Sequence, residues 1–431
     1  MSEHFSPSNA LTLAFCAAIV AGLLLKFWLA SRQIRHVASH RQAVPPAFAH
    51  MVSLAAHQKA ADYTITKARF GLLELAFGSA MLLVWTLLGG LDWLNQLLLA
   101  RLGGGMAQQL ALLVSFVFLS SVVELPFTLY QTFVIEERFG FNKTSFKLWL
   151  WDLVKSTALG AALGLPIAAL ILWFMGATGR WWWVYAWGAW IGFFVFLQVI
   201  APTVIMPLFN KFEPLEDESL KARVTALMQR CGFAAKGLFV MDGSKRSAHA
   251  NAYFTGFGAA KRVVFYDTLL AKLSPGEVDA VLAHELGHFK HKHIIKRIAS
   301  LFALSLAGFA LLGWLALQGW FYTGLGVQPN IAAGLTGATI TAPNDALALL
   351  LFMLALPSFM FFVSPLFAQL SRKHEFEADA YAVLQTSGQD LATALLKLYE
   401  DNASTLTPDP VFVKFYYSHP PASERLARMA H

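Results

Sequence analysis

Charge is scarce in this chain. Of its 431 residues only 14% are charged, against 57% hydrophobic, and the mean hydropathy is +0.53. Soluble domains carry about 25% charged residues, so most of this chain is not built to face water. Cysteine is nearly absent too. Cys16 lies in an apolar stretch and Cys231 in a polar one, which excludes a disulfide framework and suits a reducing compartment. No internal repeat or low-complexity tract is present. Lys and Arg (33) outnumber Asp and Glu (26), a balance that can signal nucleic acid. The basic residues, however, cluster beside apolar stretches, where they anchor a protein to a membrane surface. Nucleic acid is therefore not an expected partner; the lipid bilayer is.

What the chain has instead is long hydrophobic runs. Seven stretches, near 10–31, 70–92, 109–133, 157–176, 182–206, 298–322 and 345–368, can each cross a bilayer, which takes about 20 residues. The first is read as an anchor and not a cleaved leader: no Lys or Arg precedes it, and Lys26 and Arg32 lie at its far end. The fold class expected is a mainly α, polytopic membrane protein. It divides into 1–206 with five spans, a polar segment 207–297, two spans in 298–368, and a polar tail 369–431.

Orientation follows from the connections. The 32–69 connection holds Arg32, Arg35, Arg41, Lys59, Lys67 and Arg69, and the 134–155 connection holds Arg138, Lys143, Lys147 and Lys155. The alternate ones hold Arg101 alone, Arg180 alone, and no basic residue across 323–344. The positive-inside rule then puts the N-terminus outside and both polar units in the cytosol. Trp181, Trp182, Trp183 and Trp187 fit an aromatic belt at the outer interface. Within 207–297 the pattern predicts a helix over about 215–231, strands at 237–241 and 262–266, and a final helix.

That final helix carries His284-Glu285-Leu286-Gly287-His288. Positions i and i+4 share a helix face, so both imidazoles reach one ion. Glu285 points about 100° away, where it can address a water instead of ligating. This is the geometry of H-E-x-x-H metalloproteases. Two histidines do not complete a catalytic zinc site, which takes three protein ligands. Glu375 and Asp379, i and i+4 on a predicted helix beyond the last span, are the candidates. One can ligate Zn2+ while the other holds a ligating imidazole by its free N–H. Glu377 lies about 200° from Glu375 and is expected to face away. His291 and His293 fall in the basic stretch Lys290 to Arg297 and read as an interfacial anchor, not as ligands.

Several separated motifs make the chain recognisable. They are Glu137-Arg138-Phe139-Gly140-Phe141-Asn142, Pro207-Leu208-Phe209-Asn210-Lys211-Phe212, and Asn251-Ala252-Tyr253-Phe254 with Gly256. The His284–His288 and Glu375–Asp379 segments and Ser418-His419-Pro420-Pro421 with Glu424-Arg425-Leu426 complete the set. In this order and spacing the chain resembles the type I CAAX prenyl endoproteases, integral-membrane zinc metallopeptidases. The resemblance implies a barrel-like chamber of seven helices with a zincin-like α+β unit at its cytosolic end. It also implies zinc on His284, His288 and Glu375, Glu285 as general base, and Asp379 as a further active-site carboxylate.

Asn251, Ala252, Tyr253 and Phe254 are expected to hold substrate along a strand edge, with Gly256 and Gly258 turning the chain. His419 is a candidate donor to a developing oxyanion, although Pro420 and Pro421 can equally start the last helix. Arg425 is left to pair a carboxylate of substrate or protein. The expected partner is a peptide or protein substrate, prenylated or otherwise membrane-associated. Compact connections and the lack of a retrieval signal suggest a bacterial inner-membrane protein. The rival readings are a heat-shock-type membrane quality-control zinc protease and a non-catalytic scaffold or transporter. Against the transporter stands the scarcity of ionisable residues in the spans, chiefly Glu74 and Glu124.

Overall fold

A computed structural model describes residues 6–233, 237–255, 262–330 and 343–429. Its helices in chain order are α1 (Pro7–Ser39), α2 (Leu54–Trp85), α3 (Gly90–Leu102), α4 (Met106–Tyr130), α5 (Phe146–Ala177) and α6 (Trp182–Ile200). They continue with α7 (Glu218–Arg230), α8 (Asp267–Leu270), α9 (Pro275–Lys290), α10 (His293–Leu315) and α11 (Gly319–Thr323). The C-terminal part holds α12 (Asp345–Met360), α13 (Ser364–Gln385), α14 (Gly388–Asp401), α15 (Pro410–Tyr416) and α16 (Ala422–Met429). Among the described residues, six unbroken helices are long and apolar enough to span a membrane. A seventh candidate is the pair α12 and α13 taken together, which meet at a 68° bend across a short break.

Where the cores sit explains the architecture. One cluster joins Phe15, Leu91, Leu112, Leu172, Trp182, Leu312, Tyr322 and Leu351. Phe15, Leu112 and Trp182 lie near the start of α1, α4 and α6, Leu351 in the first half of α12, Leu172 and Leu312 near the end of α5 and α10, and Leu91 and Tyr322 in the short helices α3 and α11, so one end of successive spans converges there. The second cluster joins Val224, Val263, Phe265, Leu282, Leu286, Ala382 and Leu391 from the polar units. Between these two caps the spans bury little: none of the most apolar stretch of α2 and 17% of that of α1. A solid bundle would bury one stripe of every helix. These helices are instead the staves of a chamber, lipid on one side and the interior on the other.

Several expected boundaries move. The span placed at 70–92 is α2, which starts sixteen residues earlier and ends at Trp85; Gly89, at φ 80°, then turns the chain into α3. Much of the basic 32–69 connection is thus helix extending out of the spans. The stretch 345–368 is not one straight rod either, since Pro365 opens α13 after the bend.

Outside the spans, β1 (Phe212–Pro214), β2 (Gly237–Met241), β3 (Ala252–Thr255) and β4 (Arg262–Tyr266) form one sheet in the order β1-β2-β4-β3. β2 and β4 run parallel, and β1 and β3 pair antiparallel at the two edges. Motifs from the membrane half splice into this sheet. Ala248 N–H donates to Phe141 C=O, and the His249 ring stacks on Phe141 at 4.4 Å. Asn210 donates to Asp242 Oδ1 at 3.0 Å. The sheet is therefore fixed to the ends of the spans that carry the basic connections.

Candidate active site

α9 is specified locally. The Ser274 hydroxyl accepts from Glu277 N–H, the Glu277 carboxylate accepts from Ser274 N–H, and Pro275 fills the first turn. This capping box satisfies two of the orphan donors at the helix start. Glu277 also takes a hydrogen bond from Lys397 of α14 at 2.8 Å. At its other end α9 runs against α13, with Gly287 over Ala378.

That contact brings the candidate ligands together. His284 Nε2 and His288 Nε2 lie 3.3 Å apart. Glu375 Oε2 is 3.5 Å from His284 Nε2, and Oε1 is 3.4 Å from His288 Nε2. The three groups converge on one point, and Glu375 Oε2 is buried without a hydrogen-bond partner. A buried carboxylate that faces two imidazole nitrogens and leaves one oxygen without a hydrogen-bond partner fits a metal, and two histidines with a glutamate form a catalytic-zinc donor set.

Each histidine is held from behind. His284 Nδ1 donates to Asp379 Oδ1 at 2.8 Å, and Arg425 grips both Asp379 oxygens, with Nε 2.8 Å from Oδ2. Arg425 therefore binds a protein carboxylate, the alternative left open by the sequence. Burial opposes charge on His284, but Asp379 and Glu375 outweigh it and push its pKa up to about 9. With Nδ1 already donating, that extra proton sits on Nε2, so a metal must displace it.

His293 is not an interfacial anchor. It is buried, its Nδ1 is 3.0 Å from His288 Nδ1, and its Nε2 is 2.8 Å from Glu377 Oε2. The cause is local: Lys292 takes the left-handed conformation at φ 56°, which breaks α9 from α10 and folds His293 back onto His288. Glu377 does face away from the three-ligand cluster, as its helix position requires, and meets His293 there.

His419 lies just before α16, so Pro420 and Pro421 do lead into that helix. Its Nε2 is also 3.5 Å from Glu375 Oε1, while its side chain is 65% exposed. It borders a cavity of about 660 Å3 lined by Tyr63, Lys67, His249, Tyr399 and Tyr417 among others. Ala252, Tyr253 and Phe254 lie in β3, an edge strand whose neighbour among the described residues is β4; Asn251 precedes it and accepts from Tyr266 N–H. Gly256, Gly258 and the Phe254 side chain lie outside the described residues.

The sequence pattern shows neither the close packing of Gly287 nor the chain of contacts from Glu377 through His293 to His288. Gly287 stood inside the motif, but its helix partner is 91 positions away. The His288–His293 pair spans a helix break, where no periodicity applies.

Comparison with known proteins agrees with this geometry. Residues 33–211 match the CAAX prenyl protease N-terminal family with five membrane helices, and residues 214–431 match peptidase family M48. The chain is 34% identical to CAAX prenyl protease 1 of Saccharomyces cerevisiae, over 95% of this chain and 93% of that one. It is 30% identical to the human CAAX prenyl protease 1 homolog, over 94% and 92% of the two chains. The crystal structure of S. mikatae Ste24p superposes with a TM-score of 0.89 at 32% identity, covering 98% of this chain and 99% of that one. These likenesses run through both halves and set aside the heat-shock-type, scaffold and transporter readings. The chain belongs to the CAAX prenyl protease 1 family of M48 peptidases and is a multi-pass membrane metalloendopeptidase.

Proposed function

We propose that His284, His288 and Glu375 hold Zn2+ and that Glu285 is the general base for peptide-bond hydrolysis. The observation that carries this is the buried Glu375 carboxylate, which sets Oε1 against His288 Nε2 and an unpartnered Oε2 against His284 Nε2. When bound, zinc supplies Lewis-acid chemistry, acidifying water and polarising a carbonyl. Glu285 follows His284 in the chain, so its carboxylate addresses a water beside the cluster without joining it. It takes that water's proton and returns it to the leaving amine. Asp379, gripped by Arg425, keeps the proton on His284 Nδ1 and the Nε2 lone pair inward. His419 Nε2 donates to the carbonyl oxygen as charge develops there.

The edge of β3 that has no partner strand among the described residues, from Asn251 to Phe254, holds the substrate backbone as an added strand. The yeast and human relatives are named as CAAX prenyl proteases. By extension, this chain cleaves peptides near a C-terminus that is prenylated or otherwise bound to the membrane. The polar units share a face with the 32–69 and 134–155 basic connections, which supports a cytosolic site with the N-terminus outside. The short connections support a bacterial inner membrane.

Elemental analysis of the purified chain tests the metal: one zinc per wild-type chain is expected, and none in His284→Ala. A wild-type chain that hydrolyses peptides after complete zinc removal overturns the assignment. Turnover of matched farnesylated and unmodified peptides tests the substrate class, and equal kcat/KM for both rejects prenyl recognition.

A further inference from the structure

We propose that His293 and Glu377 are positioning residues for His288, a relay that decides which of its ring nitrogens faces the catalytic centre. The inference rests on the metal assignment above. His288 Nε2 faces His284 and Glu375, and its Nδ1 stands 3.0 Å from His293 Nδ1. Two nitrogens this close need one donor and one acceptor. The other nitrogen of His293, Nε2, lies 2.8 Å from Glu377 Oε2. An ionised carboxylate only accepts, so His293 Nε2 carries the hydrogen. In the neutral ring His293 Nδ1 is then the acceptor, and His288 Nδ1 must donate to it. That leaves the lone pair of His288 on Nε2, where a metal needs it. The chain Glu377–His293–His288 thus does for one ligand what Arg425–Asp379–His284 does for the other.

A second ion is the competing use of this cluster, because His293, His374 and Glu377 bring ligand atoms close together. The hydrogen-bond logic argues against it. A cation on His293 Nε2 moves the hydrogen to Nδ1, makes His288 Nδ1 the acceptor and places a hydrogen on His288 Nε2. The first site then loses a ligand. The rings of His293 and His374 also stack at 4.0 Å with 14° between planes, so their in-plane lone pairs run side by side and do not converge.

The test is zinc affinity by chelator competition on the full chain in detergent, independent of turnover. His293→Phe keeps a ring and removes both nitrogens; His293→Asn restores an acceptor oxygen near the Nδ1 position. Wild type should bind one zinc, His293→Phe should bind about 10- to 100-fold more weakly, and His293→Asn should recover much of the loss. Unchanged affinity in His293→Phe overturns the proposal. So does equal weakening in both variants, which is a packing effect, or two zinc ions per wild-type chain. No zinc on wild type instead overturns the metal assignment itself. If His293→Phe does not fold, Glu377→Leu carries the comparison, with loss of affinity expected and unchanged affinity contradictory.

Discussion

Gly287 of α9 rests directly on Ala378 of α13: a Cβ at Gly287 would stand 2.9 Å from Ala378 Cα and 3.0 Å from its carbonyl oxygen. One helix carries His284, Glu285 and His288, and the other carries Glu375 and Asp379. Backbone cannot swing aside as a long side chain can, so any added carbon forces the two helices apart.

Gly287→Ala is therefore expected to weaken zinc retention and to lower kcat/KM by about tenfold or more, since displacements near 1 Å at a reacting centre can cost that much. Zinc content and peptide turnover of the purified variant check it. Wild-type values for both mean that the helices do not set the site.

Arg425 and Asp379 act as a unit. Arg425→Lys keeps the charge but loses the planar fork that holds both carboxylate oxygens. It should reduce kcat/KM by about 10- to 100-fold, the usual cost of losing such a supporting partner. Asp379→Asn should fall in the same range, and the double variant should cost little more than either single one. Additive losses in a double-mutant cycle contradict a shared role.

Acidity has a definite sign in the metal-free protein. The folded pKa of His284 is raised, from the ordinary 6.5 to about 9. Its contribution to stability is fully present below about pH 6.5 and is lost as pH rises through about 9. The melting temperature of metal-free protein should fall across that window, less so in His284→Gln. Proton release on zinc binding, followed in weak buffer, should be largest below pH 9. A melting temperature that rises over the window contradicts the assignment.

Substrate pairing along β3 makes alternate positions unequal. In a strand added to a sheet edge, every second residue directs its N–H to the partner. N-methylation of a peptide substrate, walked one position at a time, should raise KM with a two-residue period. A flat response in kcat/KM places the substrate elsewhere.

Much of this was legible in the chain because it depended on local rules. The strands Gly237–Met241 and Arg262–Tyr266 fall where β-branched and aromatic residues lie between turn residues, and α9 falls where His284 and His288 require a helix. The spans were legible because lipid leaves backbone no choice but internal hydrogen bonding. Less legible was whatever depended on distant contact. The extension of α2 to Leu54, the 68° bend after α12 and the return of His293 to His288 follow from packing and from one left-handed residue. The chamber was implied by family resemblance and became physical only through two buried cores at opposite ends of sparsely buried helices.

Peptide turnover and zinc content measured together on Glu285→Gln test the central claim most directly. The account predicts one zinc per chain with hydrolysis reduced by about 10²-fold or more, as expected when a general base is removed. Wild-type turnover in a zinc-loaded Glu285→Gln chain would contradict it.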